Sequence, residues 1–179
     1  MKLDDIATHL ADHKVPPVHL WHPRHCGEID IRIDRNGRWF HEGEEILRVA
    51  LVRLFSSVLW NENGDFYLKT PVEQMKIQVE LEPILIVDAE ERADGWHFRT
   101  QFDEDIRLGA EHPLEMCERN GEQYPRIKVR YDLWGMLERN LFYQLIDLAL
   151  SVDSEDGHLT ELFLVHGDDK WSLGSFENT

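Results

Sequence analysis

One succession of features occurs twice along the chain and strongly limits its fold. Arg35-Asn36-Gly37 and Arg119-Asn120-Gly121 have the residues of tight hairpin turns, since Asn and Gly both tolerate positive φ. Long apolar segments follow, from Ile46 to Trp60 and from Leu133 to Ala149, and they are typical of helices covered on more than one face. Each segment leads to an Asn-Gly or Asp-Gly turn and an apolar strand. We therefore predict a tandem repeat of hairpin, long helix and β meander.

The predicted fold class is α+β with mostly antiparallel sheets, because the strands come in runs and do not alternate with helices. Apolar residues at helical spacing from Leu3 to Lys14 predict a short N-terminal helix. The strands between Leu81 and Leu108 are compatible with either half. We place residues 1–90, the N-terminal helix with the first repeat, in one domain and residues 91–179, the second repeat, in the other.

The charge of the chain limits its partners. It has 179 residues and a net charge of −16, with 19 Lys and Arg against 35 Asp and Glu. Nucleic acids and anionic lipids bind through cationic patches that release counterions, and no such patch stands out. We therefore expect no nucleic acid and no membrane as partner.

The cysteines and the N-terminus bear on the cellular compartment. Cys26 and Cys117 are the two cysteines of the chain, and no apolar run approaches the length of a signal sequence or a membrane span. We expect two free thiols in a reducing cytoplasm. Whether the two thiols lie close together is left open.

Patterns that carry metal ions or catalysis are weak. The cluster of His19, His22, His25 and Cys26 lacks a matching ligand pair further along the chain. None of the acidic loops has the spacing of a calcium-binding EF-hand, and there is no glycine-rich phosphate loop. Ser56-Ser57 lies inside a predicted helix and not at a nucleophile elbow. We predict no catalytic residue, no metal site and no cofactor.

Two arginines stand out as candidate ligand-binding residues. Arg53 interrupts an apolar helix, and a buried guanidinium needs a carboxylate or an anion; Asp30 and Glu73 are candidate partners. Arg130 precedes Trp134 at a predicted helix start, where it could cradle an anion. The alternatives are a structural ion pair for Arg53 and helix capping for Arg130. The predicted ligand-binding set is Arg53, Glu73, Arg130 and Trp134.

The chain also contains a series of distinctive sequence blocks: Trp21 with Pro23, CGEID at Cys26–Asp30, Gly37 with Trp39, LVRLFSSVL at Leu51–Leu59, TPVE at Thr70–Glu73, HPL at His112–Leu114 and VRYDLWGML at Val129–Leu137. These blocks resemble those of a bacterial family, domain of unknown function 1285. The resemblance covers about residues 16–149, and LVRLFSSVL is its most specific block. It implies an α+β fold with a repeated motif, no established activity, and a suggested role in ligand sensing or signalling; it supplies no catalytic residues.

Three classes of function are compatible with these observations. We favour a cytoplasmic binding or regulatory module without chemistry of its own, which recognises a small anionic or amphipathic molecule or a protein between its two halves. A homodimeric structural or assembly protein is the first alternative. The second is a hydrolase or transferase with an unrecognised carboxylate and histidine site around His41, Glu73 and His112.

Overall fold

A computed structural model describes residues 15–178, which form two compact units. The first unit extends to Pro83 and also includes Tyr131–Leu133. The second unit comprises Ile84–Arg130 and continues from Trp134. The helix predicted between Leu3 and Lys14 lies outside the described residues, and the predicted domain boundary between residues 90 and 91 stays a prediction.

The first unit is a six-stranded sheet with one α-helix. After a 3-10 turn at Val18–Leu20, its elements are β1 (His25–Ile33), β2 (Trp39–His41), β3 (Glu44–Glu45), α1 (Val49–Ser57), β4 (Leu59–Glu62), β5 (Asp65–Lys69) and β6 (Glu73–Val79). The strand order is β3-β2-β1-β6-β5-β4. Strands β1 and β6 run parallel, whereas the β1–β2, β4–β5 and β5–β6 pairs are antiparallel.

The second unit holds two further sheets and the other α-helix of the described residues. Its elements are β7 (Ile84–Arg92), β8 (Gly95–Thr100), β9 (Asp105–Arg107), β10 (Leu114–Arg119), β11 (Glu122–Arg130), β12 (Leu133–Leu137), α2 (Arg139–Leu148), β13 (Leu150–Asp153), β14 (Leu159–His166) and β15 (Asp169–Glu177). The orders are β10-β11-β12-β7-β8-β9 and β13-β14-β15. Strands β12 and β7 run parallel.

The predicted fold class is wrong. The described chain is mostly β, and its two α-helices have only nine and ten residues, so it is not an α+β protein built from repeated units with long helices. The elements after the two helices also differ, because β4 joins the sheet that contains β1, whereas β13 begins a separate three-stranded sheet. The recurring turns and apolar segments of the sequence therefore do not produce a recurring unit of this kind.

The helix expected from Leu133 to Ala149 shows why the prediction failed. Its first part is β12, in which Leu133, Gly135 and Leu137 are buried and the two residues between them are half-buried. This is the two-residue period of a strand, yet apolar residues at positions 133 and 137 also fit the spacing of a helix. Packing against the neighbouring strand favours the strand over the helix here. Gly135 lies so close to β7 that an added Cβ would be 2.7 Å from Cδ1 of Ile86.

The first helix is shorter than expected for a related reason. Helix α1 ends at Ser57, and β4 begins at Leu59, inside the segment predicted to be helical. The following turn at Asn63-Gly64 has positive φ at both residues, which matches the twist of a tight hairpin. Pairing of β4 with β5 across this turn takes Trp60 out of the helix and places it in the sheet.

The core of the first unit is centred on Trp39 of β2. Its side chain is 1% exposed and stacks on Phe55 of α1, with ring centroids 6.1 Å apart and an angle of 17° between the planes. Ile31 and Ile33 of β1 are also buried. The stacking of Trp39 on Phe55 is thus a contact that holds the helix to the sheet.

No helix within residues 15–178 has both the length and the apolar character needed to cross a bilayer.

Candidate functional site

The outer two strands of the first sheet bring an aromatic ring and a lysine together. Trp60 of β4 pairs with Tyr67 of β5, and Lys69 lies two residues after Tyr67. Because side chains alternate between the faces of a strand, Trp60, Tyr67 and Lys69 lie on the same face. Leu59 and Leu68 lie on the opposite face and are fully buried.

Lys69 is an unusual lysine because it is only 5% exposed. Its Nζ lies 4.0 Å from the centroid of the Trp60 ring, the geometry of a cation–π contact. Among the described residues, its ammonium forms no hydrogen bond or ion pair. Burial lowers the pKa of Lys69, and the negative charge of Glu62 partly opposes this shift. The Lys69 side chain is therefore largely buried, and its ammonium lies against the Trp60 ring without a protein acceptor among the described residues.

Trp60 carries a second donor without an acceptor. Its indole Nε1 is buried and has no hydrogen-bond partner in the part of the chain that the structure describes. A buried donor without a partner costs about 1–3 kcal/mol. A buried donor of this kind is uncommon in a native protein and calls for an explanation.

Tyr131 completes this cluster and has a strained backbone. Its φ is 50°, a left-handed conformation that costs a bulky residue about 1–3 kcal/mol. Its ring centroid lies 5.6 Å from that of Trp60, and its hydroxyl lies 2.9 Å from Nδ1 of His19. The amide of Asn61 donates a hydrogen bond of 3.0 Å to the carbonyl of Asp132 and so fixes the turn.

We call Trp60, Lys69, Tyr131 and His19 the lysine–tryptophan site. Its donors without a protein acceptor among the described residues are the buried indole N–H of Trp60 and the ammonium of Lys69. A carboxylate or phosphate oxygen accepts from both kinds of donor, and its negative charge would also compensate the positive charge of Lys69. The chemistry of the site therefore favours a small anion.

The first-unit residues predicted as ligand-binding lie elsewhere in the structure. Arg53 is exposed on α1, so the expectation that its guanidinium is buried is wrong. Glu73 is half-buried at the start of β6, and its backbone N–H and C=O are bonded to Thr70. A role for Arg53 and Glu73 in ligand binding stays a prediction.

Arg130 and Trp134 belong to the second unit, and both have partners there. The expected position of Arg130 at a helix start is wrong, because it ends β11. Its Nη1 lies 2.6 Å from both carboxylate oxygens of Glu104, and the two side chains are 13% and 27% exposed. The Trp134 ring lies under the guanidinium of Arg126, 4.2 Å from its central carbon. Their role as ligand-binding residues also stays a prediction.

Lys69 does not stand out in the sequence as a candidate site residue. A strand pattern assigns it to the face opposite Phe66 and Leu68, where a lysine is usually solvated. The neighbouring Trp60 and Tyr67 were the available signal, because two aromatic residues on an outer face suggest that something covers it.

The other concentration of titratable groups lies in the second unit around His97. Its Nδ1 is 2.8 Å from Asp105 and its Nε2 is 3.0 Å from Asp94, so both ring nitrogens are engaged. Hydrogen bonds from His97 are the main cause of the lowered pKa of both carboxyls. This cluster ties β9 to the β7–β8 turn. Within the described residues, no group of three or more His, Cys, Asp or Glu side chains is arranged to hold a metal ion.

The structure thus defines a mostly β protein of two units, with a largely buried lysine against a tryptophan ring in the first. Comparison with known proteins places it in a family. The model described as domain of unknown function (DUF1285), N-terminal domain, matches residues 16–81, and the corresponding C-terminal domain model matches residues 83–171. The chain belongs to the DUF1285 family, which confirms the resemblance seen in the sequence.

Two solved structures of the same family are similar to this chain. A DUF1285 family protein from Silicibacter pomeroyi is 35% identical, with a TM-score of 0.81, over 95% of this chain and 93% of that one. A DUF1285 family protein from Shewanella baltica is 25% identical, with a TM-score of 0.53, over 65% of this chain and 90% of that one. No curated protein matches the chain.

Proposed function

We propose that this protein is a cytoplasmic binding module without chemistry of its own, and that its first unit takes up a small anionic ligand at the lysine–tryptophan site. The observation that carries the proposal is the buried Trp60 Nε1, which has no acceptor among the described residues. Beside it lies Lys69, which is 5% exposed and whose Nζ is 4.0 Å from the centroid of the Trp60 ring. A cytoplasmic location is compatible with the free thiols of Cys26 and Cys117. A role in regulation would follow if ligand occupancy changed which partner the protein binds.

The stability of the protein makes one part of this proposal testable without a ligand. We expect Lys69→Met to raise the free energy of unfolding by roughly 0.5–1 kcal/mol, in the lower part of the range for stabilising substitutions because Glu62 offsets some of the desolvation. Since the pKa of Lys69 is lowered by folding, the unfolded chain binds this proton more tightly. The stabilisation of Lys69→Met relative to wild type should be complete at neutral pH. It should shrink as the pH rises through the lowered pKa, because the wild-type lysine then loses its charge.

The measurement is urea denaturation at several pH values. Lys76→Met is the matched control, because Lys76 lies on the same sheet but forms a 3.0 Å ion pair with Asp65, whose hydrogen bond raises the lysine pKa. We expect no gain in stability from this control. If Lys69→Met did not stabilise the protein more than Lys76→Met does, the idea of an uncompensated ammonium would be contradicted.

Binding itself is tested by following the indole N–H signals in ¹H–¹⁵N spectra, of which the six tryptophans give six at most. The Trp60 signal is assigned with Trp60→Phe, and acetate, succinate and phosphate are titrated against chloride at the same ionic strength. We expect a saturable shift of the Trp60 signal with at least one of these anions. The shift should disappear in Lys69→Met and persist in Lys76→Met.

Two results would overturn the proposal. One is a Trp60 signal that does not move with any of the anions beyond its response to chloride. The other is an equal response in wild type and Lys69→Met, which would show that the anion acts elsewhere.

A further inference from the structure

One outer strand of the three-stranded sheet, β13, has no strand beside its outer edge among residues 15–178. Strand β13 pairs with β14 on one side, and all four of its residues are exposed. In an antiparallel pair, the backbone groups of successive residues point alternately toward the partner strand and away from it. The Ser154 N–H donates a hydrogen bond to the carbonyl of Leu159, so Ser154 faces β14. The N–H and C=O of Val152 therefore also point toward β14, and those of Ser151 and Asp153 point away from the sheet.

Proteins usually protect such an edge with lysine, proline or a bulge. Strand β13 contains neither lysine nor proline, and its pairing with β14 is regular. The one charged side chain, Asp153, accepts a hydrogen bond from the hydroxyl of Thr160. This edge is therefore available to pair with another extended chain.

An apolar surface lies beside the free edge. Leu150 and Val152 are two residues apart, lie on the same face of β13 and are 46% and 39% exposed. Leu148, just before the strand, is 68% exposed. A cavity of about 340 Å³ opens at the start of the strand and is large enough for an apolar side chain. It is lined by Glu91, Trp96, Leu148, Ala149, Leu150, Leu164 and Val165.

The charge around this surface is mainly negative, although Nζ of Lys170 on β15 lies 5.9 Å from the ring centroid of Phe163, the residue opposite Leu150. Between Asp147 and Leu164 the sequence contains five carboxylates and no lysine or arginine. All five are exposed in the structure, and Glu161 is the residue opposite Val152. The five carboxylates are Asp147, Asp153, Glu155, Asp156 and Glu161.

These features together select the kind of partner. We propose that β13 and its adjacent cavity form a docking surface for an extended segment of another protein in which apolar and basic residues alternate. The segment adds a strand next to β13 through backbone bonds to Ser151 and Asp153, with one apolar side chain in the cavity. A second copy of this chain does not fit, because two copies would bring the same carboxylates together.

The experiment measures binding of a fluorescein-labelled peptide of about eight residues, with lysine and valine in alternation, by fluorescence anisotropy. We expect saturable binding to the full chain, weakened by salt because charge contributes to it. Two control peptides separate the contributions. Glutamate in place of lysine should abolish binding, and proline at alternate positions with the same charge should weaken it by about tenfold or more.

Two variants test the location. Ser151→Pro removes an outward N–H, and Val152→Lys places a positive charge on the apolar face; each should weaken binding by about tenfold or more. Val49→Lys adds the same positive charge as Val152→Lys, but on α1, where Val49 is 69% exposed. This control variant should bind the peptide as well as wild type does. If Ser151→Pro fails to fold, as judged by circular dichroism, Val152→Lys decides alone.

The proposal is overturned if the proline-containing peptide binds as well as the parent, or if Val152→Lys and Val49→Lys bind equally. Absence of binding by the parent peptide at low salt also overturns it. Because the surface lies in the second unit and the lysine–tryptophan site in the first, Lys69→Met should leave peptide binding unchanged. The two proposals can therefore fail independently.

Discussion

Replacement of Trp39 by alanine is expected to lower the free energy of unfolding by about 3–5 kcal/mol, the range for truncating a large buried aromatic residue. The indole is 1% exposed and holds α1 to the sheet through its stacking on Phe55. Truncation would leave a cavity between the helix and the sheet that neither element can close by itself. Urea denaturation monitored by circular dichroism measures the loss.

The matched variant is Trp39→Phe. The Trp39 Nε1 is buried without a hydrogen-bond partner among residues 15–178, so phenylalanine removes an unsatisfied donor together with part of the ring volume. The two effects oppose each other, and we expect a loss below about 1.5 kcal/mol. If the alanine variant lost no more than the phenylalanine variant, the stacked pair would not be what holds the helix.

The second large effect is expected at Arg130. Its guanidinium contacts both oxygens of Glu104 at 2.6 Å, and both side chains are largely removed from solvent. Removing one partner of a buried ion pair leaves the other charge without compensation, so Arg130→Met should destabilise the protein by about 3 kcal/mol. The double variant Arg130→Met with Glu104→Gln should recover much of this loss, and denaturation of the four proteins gives the coupling energy.

Arg99 supplies the control for this cycle. It pairs with Asp88 at 3.0 Å but is 49% exposed, so Arg99→Met should cost less than about 1 kcal/mol. A loss at Arg130 as small as that at Arg99 would indicate that the Glu104 pair is not structural. In that case the role of Arg130 as a ligand-binding residue, which the sequence suggested, would become the better explanation.

Turns were the part of the fold that the sequence predicted best. Asn120 and Gly121 both have positive φ and join β10 to β11, and Gly37 has positive φ in the turn between β1 and β2. These turns are local, because the identity of one or two residues decides the backbone conformation. Helix and strand were harder to separate at Leu133–Leu137, where apolar residues fit both periods.

Long-range pairing explains the rest of the difference. The parallel pairing of β1 with β6 and of β12 with β7 joins segments far apart in the chain, and no local pattern specifies it. The lysine–tryptophan site has the same origin. A lysine on the outer face of a strand is usually solvated, whereas Lys69 is buried because Trp60 lies over that face of the sheet.

The inclusion of Tyr131–Leu133 in the first unit has a consequence for synthesis on the ribosome. A nascent chain that has emerged only as far as Pro83 lacks the ring of Tyr131 and the carbonyl of Asp132 that Asn61 binds. The aromatic contact between Trp60 and Tyr131 in the first unit can therefore form only after residues 84–130 have been translated. A fragment ending at Pro83 should accordingly be easier for a protease to cleave near Trp60 than the same segment in the finished protein.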